Sequence, residues 1–266
     1  MPREAGRRAD LALVAVAGLC YGESASQVPS VPNDCLGLPL AGSVAMIPPR
    51  AVLFDLDGLM FNTEEVYFQV GVELMRRRGR QYTRELSDAV MGRPPQDCFE
   101  TMIRWHGLND RWEVLAAESE DLFISLLDDR LAPMPGLMEL LEALEQAGIP
   151  KAICTSSSRR VVQAVLSRFQ LEPRFQFTLT AENITHGKPH PEIYLKAASR
   201  LGLRPEQIVV LEDSQTGCQA AASAGMLVVA VPGEHSRTHD FRTARLVLAS
   251  LADPQLYHLL GLRPSA

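Results

Sequence analysis

Four consecutive apolar residues, Ala51-Val52-Leu53-Phe54, are followed at once by Asp55-Leu56-Asp57-Gly58. Because the apolar residues are adjacent and do not alternate with polar ones, they predict a strand buried on both faces, as in the centre of a parallel sheet. Asp55 then lies at the strand end, where open parallel sheets bind their ligands. On an extended chain Asp55 and Asp57 point to the same side, so their like charges need a cation, a shared proton or separate functions.

After residue 135, short apolar segments alternate with helix-like segments. This alternation is typical of β-α-β units, in which helices join parallel strands. The predicted strands are 151–154, 175–179, 208–211, 227–231 and 246–248, and the predicted helices are 136–147, 159–169, 191–201 and 215–224. We therefore predict an α/β fold with a Rossmann-like, doubly wound parallel sheet of five or six strands as its core.

The segment between Phe61 and Pro133 has helical patterns and no strand pattern. We expect Thr63 to cap a first helix that runs to the basic cluster 76–78, and further helices over 94–105 and 110–131. We therefore divide the chain into a core of residues 49–62 and 133–266 and an inserted helical cap of residues 63–132. We expect hinges between core and cap near residues 61–63 and 131–133.

The first 48 residues differ from the rest of the chain. Two arginines precede the apolar run 11–19, and small residues follow at 24–26, a pattern loosely similar to a signal peptide. However, Asp10 interrupts the pattern, and segment 26–45 is rich in Pro, Gly and Ser without periodicity. We expect residues 1–48 to be a poorly structured extension, or translation to begin at Met46. The run 11–19 is too short to span a bilayer.

The net charge and the cysteine content limit which binding partners and which cellular compartment we expect. The net charge of −6 argues against nucleic acid or an anionic membrane as the main partner. The five cysteines include no Cys-x-x-Cys pair, which predicts neither a zinc site nor a disulfide framework. We therefore expect a cytoplasmic protein without nucleic-acid or membrane partners, and a monomer.

Hydroxyl residues follow the predicted strand 151–154, in the sequence Thr155-Ser156-Ser157-Ser158. Because a helix begins there, the hydroxyl and backbone N–H groups would suit an anion. Ser and Thr are also the commonest residues that cap helices, so both interpretations remain open at this position.

Charged residues lie in one predicted loop and directly after one further predicted strand. Lys188 lies between Gly187 and Pro189, on a loop, where a lysine is usually solvated. Glu212 and Asp213 directly follow the predicted strand 208–211, so they are either solvated or hold a metal. Carboxylate oxygens with no nearby Cys or His suit Mg²⁺.

Together these four segments resemble the motifs of the haloacid dehalogenase superfamily of phosphatases and phosphomutases. The segments are Asp55-Leu56-Asp57-Gly58-Leu59, Thr155, Gly187-Lys188-Pro189-His190-Pro191-Glu192-Ile193-Tyr194 and Glu212-Asp213. The resemblance covers about residues 50–250, and the helical insertion after the first motif is similar to the superfamily's first class of cap.

The resemblance implies a role for each matching residue. Asp55 would be the nucleophile and Asp57 the general acid and base. Thr155, the backbone N–H of Ser156 and Lys188 would bind the phosphate. Asp55, the backbone carbonyl of Asp57, Glu212 and Asp213 would bind Mg²⁺ as the cofactor.

Within the superfamily the chain is most similar to the β-phosphoglucomutase-like, sugar-phosphate phosphatase branch. True mutases of that branch carry a histidine and an arginine in the cap, where this chain has Tyr67 and Pro95. The cap also lacks the lysine of phosphonoacetaldehyde hydrolases, and dehalogenases lack the counterpart of Asp57. Arg93 is our candidate for a cap residue that contacts the substrate.

We therefore expect a Mg²⁺-dependent phosphatase that hydrolyses a small phosphorylated metabolite, a sugar phosphate or a nucleoside or nucleotide phosphate, through an aspartyl-phosphate. One alternative is a phosphomutase of the β-phosphoglucomutase type. A different class of function, a non-catalytic protein that binds a phospho-ligand or a partner, also stays open.

Overall fold

The computed structural model describes residues 49–91, 93–127 and 131–263. The expected N-terminal extension, with its signal-like pattern and Met46, lies outside these residues. Within them, the core is a parallel six-stranded sheet with the strand order β3-β2-β1-β4-β5-β6. The strands are β1 Ala51–Phe54, β2 Lys151–Cys154, β3 Thr178–Leu179, β4 Ile208–Glu212, β5 Leu227–Ala230 and β6 Leu246–Val247. This order confirms the predicted doubly wound sheet.

Strand β1 lies at the centre of the sheet, where the strand order reverses. Phe54 pairs with Ile153 of β2 on one side and with Leu211 of β4 on the other. All four residues of β1 are fully buried, as the uninterrupted apolar run predicts. Since parallel strands end at the same edge, the residues that follow β1, β2 and β4 come together there.

Helices cover both faces of the sheet, because successive strand residues point to opposite faces. Val52 and Phe54 pack in an apolar cluster with α5 and α6, whereas Leu53 packs on the other face with α7 and α8. The core helices are α5 Leu137–Gln146, α6 Arg159–Arg168, α7 Glu192–Leu201, α8 Gln215–Ser223 and α9 Pro254–Leu260.

The insertion after β1 contains helices and, among its described residues, no strand. The helices are α1 Thr63–Arg76, α2 Arg84–Val90, α3 Pro95–His106 and α4 Trp112–Leu126. The two segments that join it to the core pair with each other, because Asn62 N donates to Ala132 O at 3.2 Å and Ala132 N to Asn62 Oδ1 at 2.7 Å. This pairing supports our proposal of a cap at 63–132 with its hinges at these segments.

Four local features differ from the predictions. The helix predicted over 110–131 ends at Leu126, because Leu127 has a non-helical backbone. Thr63 does not cap α1, since it is fully buried and its hydroxyl accepts a hydrogen bond from Gly58 N at 3.2 Å, which closes the turn after β1. Helix α2 was missed, although Thr83 caps it by accepting from Leu86 N. The strand predicted at 175–179 comprises only Thr178–Leu179, although the backbones of residues 176 and 177 still bond to Lys151 and Ile153 of β2.

Within the residues that the structure describes, no helix combines the length and apolar composition needed to cross a bilayer.

Candidate active site

Lys188 lies at the centre of a buried charge cluster beyond the strand ends. Its Nζ lies 2.6 Å from Asp55 Oδ1 and 2.5 Å from Glu212 Oε1, and it also donates to the backbone carbonyl of Cys154 at 3.0 Å. All three side chains of the ion pairs are buried. The loop lysine that sequence patterns usually leave solvated therefore connects the ends of β1, β2 and β4.

Glu212 is the second carboxylate that pairs with Lys188. Its Oε1 also accepts a hydrogen bond from the Tyr194 hydroxyl at 2.5 Å, and its Oε2 accepts from Ser214 Oγ at 3.0 Å. Gly217, in the first turn of α8, packs so close to this carboxylate that a Cβ at that position would overlap it. Both oxygens of Glu212 are therefore engaged within the protein, and its position depends on a glycine.

Asp55, Glu212 and Asp213 bring three carboxylates together, with ligand oxygens within 4.8 Å of one another. Burial raises the pKa of Asp55 to about 8, although Lys188 partly offsets the effect. Burial, followed by the charges of Asp55 and Glu212, also raises the pKa of Asp213. Desolvation alone would lower the pKa of Lys188, but the carboxylates of Asp55 and Glu212 outweigh it, so the pKa of Lys188 is raised. One lysine thus faces three buried carboxyl groups, an excess of negative charge that a divalent cation would relieve.

The donor set fits Mg²⁺, because it consists of carboxylate oxygens without sulfur or imidazole. Gly58 also lies close to the Asp213 carboxylate. A Cβ on Gly58, whose φ is +73°, would lie 2.5 Å from Asp213 Oδ2. Glycine at position 58 therefore provides both the backbone turn and the room for this carboxylate.

The two carboxylate oxygens of Asp57 differ in their hydrogen bonds. Its Oδ2 accepts hydrogen bonds from Ser157 Oγ at 2.7 Å and Thr155 Oγ1 at 3.2 Å. Its Oδ1 is buried and has no hydrogen-bond partner among the residues that the structure describes. Since buried carboxylate oxygens are normally paired, Oδ1 is the oxygen of Asp57 that remains for a bound molecule or ion.

The hydroxyl residues after β2 have different contacts, and helix capping is confirmed for one of them, whereas the anion site stays a prediction. Thr155 and Ser157 orient Asp57, and Thr155 Oγ1 also accepts from Ser157 N at 3.0 Å. Ser158 instead caps α6 by accepting from Val161 N at 3.3 Å. Ser156 is exposed and lines the cavity beside Asp57.

The helical cap contributes residues that the sequence analysis did not assign to the site. The Tyr67 hydroxyl lies 3.3 Å from Ser157 Oγ, which connects the cap to Asp57. Glu64, in the first turn of α1, has its pKa raised to about 7 by burial and by the charge of Asp57. Neither residue is part of a motif, although their position directly after Asp57-Gly58 was an available signal.

Two adjoining cavities meet at Asp57. One, of about 260 Å³, is lined by Asp55, Asp57, Lys188 and Asp213. The other, of about 320 Å³, extends among the cap helices. Residues that line both include Asp57, Glu64, Arg93 and Ser156. A molecule with an anionic end at Asp55 and a larger remainder under the cap would fit this arrangement.

Several known proteins are similar to this chain in sequence or in fold. A phosphorylated carbohydrates phosphatase from Thermotoga maritima is 33% identical over 177 residues, which cover 66% of this chain and 82% of that protein. Hexitol phosphatase B from Escherichia coli strain K12 is 30% identical over 224 residues, 81% of this chain and 100% of that protein. The crystal structure of CbbY from Rhodobacter sphaeroides in complex with phosphate superimposes with a TM-score of 0.72 at 27% identity, covering 80% of this chain and 100% of that one.

The family model of the haloacid dehalogenase-like hydrolases matches residues 52–231. This range begins in β1 and ends just after β5, so it includes Asp55, Asp57, Lys188 and Asp213. The family match and the sheet topology thus agree with the charge cluster at the strand ends, and the chain belongs to the haloacid dehalogenase-like hydrolase family.

Proposed function

We propose that this chain is a Mg²⁺-dependent phosphatase that hydrolyses a small phosphorylated metabolite through an aspartyl-phosphate on Asp55. The observation that carries the proposal is the ion pair of 2.6 Å between Lys188 Nζ and Asp55 Oδ1 at the wall of a cavity that Asp57 shares. The relatives named above act on phosphorylated carbohydrates and hexitol phosphates, which supports a sugar phosphate as substrate, and a nucleoside or nucleotide phosphate is the other candidate.

Asp55, Asp213 and the backbone carbonyl of Asp57 would hold the metal. When bound, Mg²⁺ supplies positive charge to the oxygens of the phosphate. The resemblance predicts Glu212 as a further Mg²⁺ ligand, and Glu212 lies in the same carboxylate cluster. Because its two oxygens are engaged by Lys188, Tyr194 and Ser214, we propose that it positions Lys188 instead.

In the first step, an oxygen of Asp55 attacks the phosphorus, and the bond between phosphorus and the leaving oxygen breaks. Asp57 Oδ1 donates its proton to that oxygen, so that the product leaves as a neutral alcohol. Lys188 and the Ser156 backbone N–H add positive charge and a hydrogen bond on the side of the phosphate. The resemblance assigns Thr155 to the phosphate as well, but its hydroxyl donates to Asp57 Oδ2 at 3.2 Å, so we propose that it orients Asp57 instead.

In the second step, Asp57 removes a proton from a water molecule that attacks the same phosphorus. The bond between phosphorus and Asp55 breaks, which releases inorganic phosphate and restores both carboxyl groups. Ser157 and Thr155 hold Asp57 in one orientation during both proton transfers. Closure of the cap would exclude bulk water from the intermediate.

One observation favours the phosphomutase alternative. Arg93 lines both cavities, where a second phosphate group would need a cation. Tyr67 weighs against it, because its ring packs on Phe123 with 4.5 Å between centroids and its hydroxyl faces Ser157. The non-catalytic alternative would require loss of a charged group from the cluster, and Asp55, Asp57, Lys188 and Asp213 are all present.

The test measures phosphate release by the full chain from sugar phosphates, nucleoside monophosphates and β-glucose 1-phosphate, with Mg²⁺ and with a chelator. We expect release that requires Mg²⁺ and favours a few of these esters. Conversion of β-glucose 1-phosphate to the 6-phosphate without release would favour the mutase. Absence of both reactions in the presence of Mg²⁺ would favour the non-catalytic alternative.

We also propose that the protein works as a cytoplasmic monomer. Cys98, Cys154 and Cys218 are free thiols, which a reducing compartment would preserve. Sedimentation of the purified chain tests the oligomeric state, and a stable dimer would contradict this part of the proposal.

A further inference from the structure

The larger cavity, of about 320 Å³, lies inside the cap and is reached from Asp57. Residues of α1, α2, α3 and α4 form its walls, and the beginning of α6 closes it on the side of the core. Its volume falls within the range of small-molecule sites in proteins. Of the residues of the four motifs, Asp57 lines it.

The walls change in character from the mouth to the interior. At its mouth, where it meets the smaller cavity, the polar residues that line both cavities are Asp57, Glu64, Arg93, Ser156 and His235. The residues that line the larger cavity alone are mainly hydrocarbon and aromatic, among them Val70, Leu74, Val90, Phe99, Met102 and Phe123, and they include the polar residues Ser87, Ser119 and Glu120.

Aromatic rings lie around this interior in geometries that rings favour. Tyr67 packs on Phe123, and Phe68 meets Tyr82 edge-on with 5.6 Å between centroids. The Tyr82 hydroxyl is hydrogen-bonded to Ser87, so these two polar groups already satisfy each other. A sugar in this space would lose water from its hydroxyls and find few partners, whereas a ring would bury apolar surface and stack or meet other rings.

We propose that the cavity binds an aromatic ring of the leaving group. The ring would be joined to the phosphate through a pentose or a short polyol, whose hydroxyls lie at the polar mouth. The two cavities share Asp57, Glu64, Arg93 and Ser156, so one molecule can span both. This inference rests on the proposed phosphatase function and narrows its substrate to esters that carry such a ring.

Matched substrates with and without the ring test the inference. Uridine and adenosine 5′-monophosphate are compared with ribose 5-phosphate, and flavin mononucleotide with ribitol 5-phosphate, always in the presence of Mg²⁺. We expect kcat/KM to be at least about tenfold higher for the ring-bearing member of at least one pair. Equal or higher values for the ringless members of both sets would overturn the inference and leave the phosphatase proposal intact.

Acetyl phosphate, which has neither ring nor sugar, separates the two proposals. If neither acetyl phosphate nor any of the matched esters is hydrolysed, the proposed function itself fails, and this inference fails with it. If acetyl phosphate is hydrolysed and kcat/KM is equal within each matched pair, only the binding of a ring in the cavity is refuted.

A variant that fills the cavity provides a second test of the inference. Ala116 on α4 lines the cavity, so Ala116→Phe would occupy the space of the ring. We expect the ratio of kcat/KM between ring-bearing and ringless substrates to fall at least about tenfold. Val114→Phe is the matched control, because Val114 lies on the same helix with 52% of its surface exposed and does not line the cavity.

Ala116→Leu makes a smaller change and replaces Ala116→Phe if the latter does not fold, as judged by circular dichroism. An unchanged ratio in a folded Ala116 variant would overturn the inference, because the ring would then bind elsewhere. A fall of equal size in Val114→Phe would overturn it too, since the effect would not depend on the cavity.

Discussion

Ser157 Oγ donates a hydrogen bond of 2.7 Å to Asp57 Oδ2, whereas the hydroxyl of the next residue, Ser158, caps helix α6. Two adjacent serines therefore serve different purposes, one at the site and one in the fold. This difference can be tested because the same substitution, serine to alanine, removes one hydroxyl in each case.

We expect Ser157→Ala to lower kcat by about 10- to 100-fold, because a hydrogen bond to a charged group contributes about 1.5 to 3 kcal/mol. Ser158→Ala should leave kcat nearly unchanged and lower the free energy of unfolding by about 1 kcal/mol, as loss of a helix cap does. Steady-state kinetics and urea unfolding of both variants measure these effects. Equal kcat in the two variants would contradict the assignment of Ser157.

Asp55→Asn should reduce turnover by at least about 10³-fold, because an amide does not form the acyl-phosphate. The fold should persist, since asparagine keeps the shape of the side chain and Lys188 still pairs with Glu212. Phosphate release and thermal unfolding are measured beside Asp88→Asn, an exposed residue of α2. Retention of turnover in a sample shown to contain only the variant would refute Asp55 as the nucleophile.

Glu64→Gln should make stability depend less on pH. The pKa of Glu64 is about 7 in the folded protein against its ordinary 4.5, because of burial and the charge of Asp57. Between these values the unfolded state binds fewer protons, so this group lowers the free energy of unfolding as the pH rises. At pH 8 the variant should be more stable than the parent by about 1 to 3 kcal/mol, and at pH 4.5 nearly equal.

The measurement is the free energy of unfolding of the parent and Glu64→Gln across this pH range. Glu65→Gln is the matched control, because Glu65 is the next residue of α1 and is exposed. A constant difference between Glu64→Gln and the parent at all pH values would contradict the titration of Glu64.

Gly217→Ala should destabilise the protein by about 1 to 3 kcal/mol, although alanine is normally the better helix former. The new Cβ would overlap the Glu212 carboxylate, which holds Lys188. We therefore expect a lower kcat as well. Gly187→Ala is the control, since a Cβ there meets no atom within 4 Å, and should change the stability by less than about 0.5 kcal/mol. A stabilised Gly217→Ala would show that Glu212 can move without cost.

Mg²⁺ affinity should rise with pH between about 6 and 9. Because the pKa of Asp55 is about 8, the metal must displace a proton below that pH and binds an already ionised group above it. Calorimetric titrations in two buffers of different ionisation enthalpy measure both the affinity and the protons released. Affinity that is constant over this range, with no proton release, would contradict Asp55 as a ligand.

The sequence was sufficient to predict the sheet and several site residues. The adjacent apolar residues of β1, β2 and β4 indicated buried parallel strands, and such strands end at one edge of the sheet. That rule placed Asp55, Asp57, the hydroxyl residues 155–158 and the pair Glu212-Asp213 at one edge, and the resemblance to the haloacid dehalogenase motifs then assigned their roles. These predictions rest on burial and strand direction, which are properties of short segments.

The tertiary structure alone decided what each of these groups contacts. Ser157 and Asp57 are 100 positions apart in the chain, and Lys188 and Asp55 are 133 apart, so their contacts depend on the register and packing of distant segments. The engagement of Glu212 by Tyr194 and the apolar cavity of the cap arise in the same way. Local sequence patterns thus determined which polar residues follow the strands. The hydrogen-bond partners and the cavity walls were decided only by the tertiary structure, because no short segment contains both sides of such a contact.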